Sequence, residues 1–344
     1  MTYFLLLNYI AAARYPAQEA LQRGYLEHLL ALGHRENDCL WLSADELNAR
    51  ARFRRPFGGI FHRQVATLHP GKLIDGLVER LAAMRVRLYE QSPATSIDDG
   101  KVTTPQGSIR APMIVMATEG YSEAGNPLHR RLIPVQTGMV ATEPLNDAQW
   151  SSLGFADCET FADCTRAATY LQRTADHRLV IGARGHYLPG GKPQHALGDL
   201  ETIGRHREQI ALNLFPQLNG VRFTHNWGGS VGVPRQWHPH IMHNRASGIA
   251  TAGGYVGEGV GASFLFGQTL ADLLTEQNTE RTRMPWVRRS AIEELKRWEP
   301  EPFPRLGLKA TMMAFATEEW LLDRYPGTLP TRLIGWACDQ LAPH

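Results

Sequence analysis

The stretch GIATAGGYVGEGVGASFLFGQTLADLL, residues 248–274, decides how the rest of the chain is read. Gly248 to Ala252 is a short apolar run of strand type, and Gly253 to Gly261 holds five glycines in nine positions. The residues from there to Leu274 have helical spacing. A strand delivered into a helix through glycines lets backbone N–H groups and the positive helix end face an anionic group. Gly257-x-Gly259-x-x-Ala262 fits the loose dinucleotide fingerprint. A dinucleotide unit also needs a second strand after its helix with an acid at its end, and residues 275 to 300 offer Pro285, Trp286 and Pro300 instead. This is therefore not the first turn of a Rossmann unit. Either it faces a ligand or its glycines serve packing alone.

Working outward, Met113 to Ala117 is another continuous apolar run, expected as an inner strand covered on both faces. Before it, Tyr3 to Ala13 reads as a buried strand, and Pro16 to Leu32 as a helix closed by Gly33. Ser43 and Glu46 make a capping box. Pro70 opens a helix with Leu73, Leu77, Val78 and Leu81 on one face, Val86 to Glu90 reads as a strand, and a meander turns at Asp99-Gly100. A second, sheet-based region has strand patterns at Leu132 to Thr142, Ala167 to Arg173 and Arg178 to Ile181. A long helix, Leu200 to Leu214, and a strand leading to Trp227 complete it. Past Leu274 the chain turns Arg-, Trp- and Pro-rich, with helical segments expected around Arg289 to Trp298 and Leu308 to Leu322.

A chain of 344 residues with 43% apolar residues has the material for roughly two domains. Thirty-six Lys and Arg against 34 Asp and Glu leave +2, too balanced for a nucleic-acid partner. Cys39, Cys158, Cys164 and Cys338 have neither C-x-x-C spacing nor a dense framework, so free thiols in a reducing, cytoplasmic compartment are expected. The most apolar stretch is far short of the 18 or so residues that span a bilayer, and no signal-type cluster precedes it. His225, His238, His240 and His243 resemble a metal cluster only by residue type. No Cys, Asp or Glu lies between Arg222 and Gly257 to join them, so no metal site is expected.

Taken in order, the Met116-Ala-Thr-Glu-Gly120 strand end, Thr142-Glu-Pro-Leu145, RLVIGARG at 178–185, Trp227-Gly-Gly229, the late glycine-rich turn and RWEPEP at 297–302 form a pattern. It resembles the D-amino-acid-oxidase-like FAD-dependent oxidoreductases, and within them the gamma-glutamylputrescine oxidoreductase branch, over residues 1 to about 310. The resemblance implies a mixed α/β fold, a Rossmann-like FAD-binding domain intertwined with an antiparallel-sheet substrate domain. Residues 1–66 and 127–238 would form the substrate domain, 67–126 and 239–275 the rest of the FAD domain, and 276–344 a C-terminal helical segment. Family members begin with a strand, a G-x-G-x-x-G turn and a helix holding the flavin pyrophosphate. Here Met1 already lies in what resembles the first substrate-domain strand. The implied consequence is an N-terminally truncated FAD domain, with FAD binding weakened or lost unless a complementary chain or homo-oligomer restores it. A flavin-free homologue acting as a binding partner is the competing expectation.

The resemblance also places residues. Gly253, Gly254, Tyr255, Val256, Gly257, Glu258, Gly259 and Val260 would lie at the flavin ring, where fixed donors stabilise charge on the reduced cofactor. Ala117, Thr118 and Gly120 would pass its phosphates or ribityl chain. On the substrate side, Arg184 and Arg173 are candidates to hold a carboxylate bidentately, although surface arginines are common. Trp227 and Tyr255 would wall the site, and His62 is a further candidate. The implied reaction is oxidation of a small-molecule amine, by hydride transfer from the carbon next to nitrogen to flavin N5. Solvent can deprotonate the amine, so no catalytic base is named.

Overall fold

The computed structural model describes residues 4–98, 100–122, 126–166, 168–187, 191–193 and 200–341, without the side chains of 4–7, 64 and 200–202. Met1, Tyr3, Asp99 and Ala167 lie outside these. In chain order the elements are β1 (Phe4–Ala12), α1 (Pro16–Ala31), β2 (Cys39–Leu42), α2 (Ala44–Arg50), β3 (Gly59–Leu68), α3 (Pro70–Ala83), β4 (Ser96–Asp98), β5 (Lys101–Thr104), β6 (Gly107–Arg110) and β7 (Ile114–Met116). They continue as β8 (Leu132–Thr142), α4 (Asp147–Leu153), β9 (Thr160–Asp163), β10 (Tyr170–Arg173), β11 (Leu179–Tyr187), α5 (Leu200–Leu214), β12 (Phe223–Pro234), β13 (His240–Asn244) and β14 (Ile249–Gly253). The last are α6 (Gly259–Leu274), β15 (Val287–Arg288), α7 (Phe303–Arg324) and α8 (Leu329–Leu341).

Three sheets result. The largest runs β12-β8-β11-β10-β9-β1-β3-β2, antiparallel except where β1 and β9 lie parallel. Period-two alternation sorts its long strands. In β8, Gly138 faces α5 so closely that a Cβ would meet the Ile203 side chain at 2.2 Å, whereas Val135 and Thr137 face the opposite side. On the α5 side Ala211 and Leu214 join Val140, Ile181, Phe155, Phe161 and Phe215 in the principal core. The second sheet is Rossmann-like, ordered β15-β13-β14-β7, with β7 parallel to β14 and α6 leaving the end of β14. The third sheet is the β4-β5-β6 meander.

Local signals are realised where chemistry within a few residues suffices. Ser43 accepts the Glu46 N–H while Glu46 accepts the Ser43 N–H, closing the expected capping box of α2. Three expectations fail. Val86 to Glu90 forms no strand, because no strand among the described residues lies alongside to accept or donate ladder hydrogen bonds. β7 is not an inner strand. It pairs with β14 alone among the described residues, and Val115 is 44% exposed between buried Ile114 and Met116. The helix expected over Arg289 to Trp298 is reduced to a 3-10 turn at Ile292–Glu294. α3 buries none of its residues, leaving Leu73, Ile74, Leu77, Val78 and Leu81 in solvent as one apolar stripe.

Candidate active site

A cavity of about 820 Å3 opens between the large sheet, the turn after β14 and helix α7. Val135 and Thr137 of β8 and Val231 and Val233 of β12 form its apolar floor, with Tyr9 and Tyr170 beside them. β11 adds Arg184 and His186, the turn adds Val256, Gly257 and Glu258, and α7 closes the far wall with Leu308, Thr311, Met312 and Phe315.

The turn is built from glycines and one carboxylate. Glu119, just past β7, accepts the N–H of Gly254 at 3.1 Å and of Tyr255 at 3.0 Å. Its second oxygen lies against Gly232, where a Cβ would meet it at 2.0 Å. Burial pushes the Glu119 carboxyl above its ordinary pKa, and the backbone N–H groups oppose that shift. Two of the turn's donors are thus occupied by the protein itself. Beyond them Val256 holds φ +52°, uncommon for a β-branched residue, and Gly257 holds φ +106° with no heavy atom within 4 Å of an added Cβ. Glu258, at the N-cap position of α6, makes no side-chain cap, so the N–H groups of the first turn take no cap from it and can face a ligand.

The cavity's charges are uneven. Asp163 is engaged by Arg14 at 3.2 Å, by the Thr165 hydroxyl at 2.7 Å and by the Thr169 N–H at 3.0 Å. The Arg184 guanidinium makes no hydrogen bond or ion pair with a described residue, and desolvation together with Arg166 draws its pKa down. Arg305 and Lys309, one helical turn apart on α7, add positive charge at the rim. His186 is pushed below the ordinary imidazole value by burial, Arg207 and His206, so it is neutral at pH 7.

Of the residues singled out in sequence, Arg184, Val256, Gly257 and Glu258 meet in this cavity. Tyr255 instead packs its ring on Phe266, centroids 5.4 Å apart, under α6, and its hydroxyl pKa is raised to about 12 mainly by burial. Gly259 and Val260 start α6, and Gly253 ends β14. Ala117, Thr118 and Gly120 do not line the cavity. Thr118 bonds Ser122 at 3.0 Å, and Gly120 sits where a Cβ would meet the Ser230 carbonyl at 2.7 Å, so this glycine lets the strand end approach β12. Arg173 lies outside the cavity, stacked over Trp150 at 4.4 Å and bonded to His177 at 3.0 Å. Trp227 is half-exposed on β12 opposite Met139. His62 does not line the cavity; it is the cross-strand neighbour of Tyr9 on β3, their rings 5.4 Å apart. His240 and His243 are buried in β13, where burial takes His240 down to about 4. Glu119, His186 and the α7 wall were not visible in the sequence pattern. Their partners are distant in the chain.

A small Rossmann-like sheet beside a large, mostly antiparallel sheet, with a cavity between the glycine-rich turn and the sheet face, is a mixed α/β fold shared with solved oxidases and dehydrogenases. Glycine oxidase from Geobacillus kaustophilus superposes with a TM-score of 0.70 at 18% identity, covering 87% of this chain and 76% of that one. L-proline dehydrogenase from P. horikoshii gives 0.67 at 14% identity, over 80% and 74%. The chain belongs to the DAO family, FAD dependent oxidoreductase, whose profile matches residues 8–273. Among curated proteins, "Probable oxidoreductase OrdL" of Rhizobium meliloti is 27% identical over 268 residues, 76% of this chain and 60% of that protein. Gamma-glutamylputrescine oxidoreductase of Escherichia coli is 26% identical over 238 residues, 68% and 54% respectively. The chain thus spans between about half and three-fifths of the length of these relatives. No helix among the described residues is long and apolar enough to cross a membrane.

Proposed function

We propose that the cavity takes an amine or amino-acid-like substrate and that the family's cofactor, FAD, lies along its 256–258 wall. The observation that carries this reading is Arg184, a cation without a partner among the described residues, facing a largely apolar cavity. What supports the cofactor position is the uncapped start of α6 and the open space beside Gly257, a cradle that any Cβ would begin to fill. FAD, when bound, supplies the two-electron acceptor that takes hydride at N5 from the carbon next to the amine nitrogen. The chain's own residues do the rest. Arg184 orients a substrate carboxylate, neutral His186 adds no competing charge, and the α7 wall with the valines of β8 and β12 limits water. Amine deprotonation is left to solvent, and the released imine hydrolyses in water. The free cysteines accord with a reducing, cytoplasmic setting.

The test is turnover by FAD-supplemented protein of paired amines with and without a carboxylate. The carboxylate member is expected to be preferred, and Arg184→Gln to abolish the preference. Equal turnover of both by the wild type would refute Arg184 as anchor.

A second reading, a half-enzyme completed by another polypeptide segment, is favoured by the exposed stripe of α3 and by β7 and the run 86–90, which among the described residues have β14 alone and no strand, respectively, beside them. FAD binding by residues 1–344 alone is then weak. Stoichiometric FAD retained through gel filtration with no second chain present would overturn that reading.

A further inference from the structure

Among the described residues Arg207 is the largest fully buried side chain, 1% exposed, and no carboxylate of theirs pairs with it. Its donors go elsewhere. One terminal nitrogen donates to the carbonyls of Ala183 at 3.2 Å and Arg184 at 3.0 Å, and Nε donates to the Gly138 carbonyl at 3.4 Å. The other terminal nitrogen is 2.8 Å from His206 Nδ1. A guanidinium has no lone pair to offer, so Nδ1 accepts and the His206 proton is on Nε2. These contacts converge on one irregularity. β11 pairs Ala183 with Gly138 but His186 with Gln136, so one extra residue is looped into β11 at this point. Gly185 closes the bulge where a Cβ would meet the Gln136 carbonyl at 2.3 Å.

We infer that Arg207 is the positioning residue of the cavity's cationic wall: from α5, behind the sheet, it holds the β11 bulge that presents Arg184 to the cavity. A rigid fork suits this task, since one planar group spans carbonyls on two strands at fixed angles. A buried cation without an anion is otherwise an unfavourable choice, and a neutral side chain would satisfy fewer of these carbonyls. The role of Arg207 as a support for ligand binding rests on the reading of Arg184 as a carboxylate anchor.

Arg207→Gln and Arg207→Lys test it, the second retaining charge without the fork. Hydrogen exchange over residues 183–187 is expected to quicken at least tenfold in the Gln variant and by less in the Lys variant, with strand 39–42 unchanged. Acetate, followed by the Arg184 Nε–H resonance, is expected to bind the Gln variant at least tenfold more weakly than the wild type. His186 faces His206 and Arg207 from α5 and Arg184 on its own strand. Its titration midpoint should rise in the Gln variant and stay put in the Lys variant, a split that loss of packing alone would not produce. Wild-type exchange and acetate affinity in both variants would overturn the inference. If the Gln variant does not fold, the Lys variant decides by exchange and affinity. If the wild type itself ignores acetate while the bulge loosens as expected, the anchor reading of Arg184 falls and the hold of Arg207 on the bulge stands.

Discussion

The Glu119 carboxylate accepts the backbone N–H of Gly254 at 3.1 Å across 135 residues of sequence, joining the end of β7 to the turn that begins the cavity wall. The same oxygen takes the Tyr255 N–H, so one side chain sets the path of the turn before any ligand arrives. Glu119→Ala leaves both donors without that acceptor in a largely buried place, and stability is expected to fall by about 2–4 kcal/mol. Glu119→Gln keeps an accepting oxygen and is expected to lose less than about 1.5 kcal/mol. Urea melts of the three proteins check this.

The pH dependence of that carboxyl has a definite sign. Its folded pKa is raised by burial, so between the ordinary glutamate value and the raised one the folded state binds more protons than the unfolded. Its contribution to stability therefore declines as pH rises through that window and levels off above it. Subtracting the Glu119→Gln profile from the wild-type profile isolates this slope, and a difference that increases with pH would contradict the burial argument.

Gly257 and Gly120 should respond oppositely to a side chain. Gly257→Val places its Cβ in open space at φ +106°, so about 1–3 kcal/mol of backbone strain is expected with the fold retained and FAD binding lost. Gly120→Ala drives a Cβ to 2.7 Å from the Ser230 carbonyl and 2.9 Å from the Gly232 nitrogen, and is expected to cost more than about 3 kcal/mol. Thermal midpoint and flavin content on the two proteins read both outcomes. A Gly257→Val protein that is unstable yet binds flavin normally when folded would remove the turn from the site.

The α3 stripe makes a prediction about association. An isolated 14-residue helix is marginal in water, and this one buries none of its residues. The wild type is expected to self-associate at micromolar concentration through this stripe and the β7 edge. Leu73→Glu with Leu77→Lys should reduce association while changing stability by no more than about 0.5 kcal/mol, since both side chains are exposed. Light scattering of a monodisperse wild-type monomer would refute the expectation.

Helix α7 is held over the cavity by Arg166, which pairs with Glu318 and, at 2.6 Å, with Asp339 of α8 while lying over the Phe315 ring at 5.4 Å. Glu318 is nearly buried, so Arg166→Met strands a carboxylate and is expected to cost about 3–5 kcal/mol. Adding Glu318→Met should return much of that loss. A double-mutant cycle on thermal midpoints measures it, and additive losses would show the pair to be uncoupled.

Much of this fold was legible in the sequence because its signals are local. Leu132 to Thr142 alternates with period two and forms β8 at those limits, Leu200 to Leu214 forms α5, and Ser43 with Glu46 caps α2. Gly254 and Gly257 both adopt positive φ in the turn that the glycine-rich stretch marked. What lay beyond the sequence were relationships between distant residues. Val86 to Glu90 has the composition of a strand and is none, because a strand exists only by hydrogen bonds to a neighbour. Arg173 and Arg184 are the same residue type on adjacent strands, yet one stacks on Trp150 and the other faces the cavity. Glu119, Arg207 and the α7 wall acquired their roles only when the chain folded. Backbone propensity and capping act within a few residues and can be read there, whereas the environment of a buried charge is made by whatever the tertiary fold brings against it.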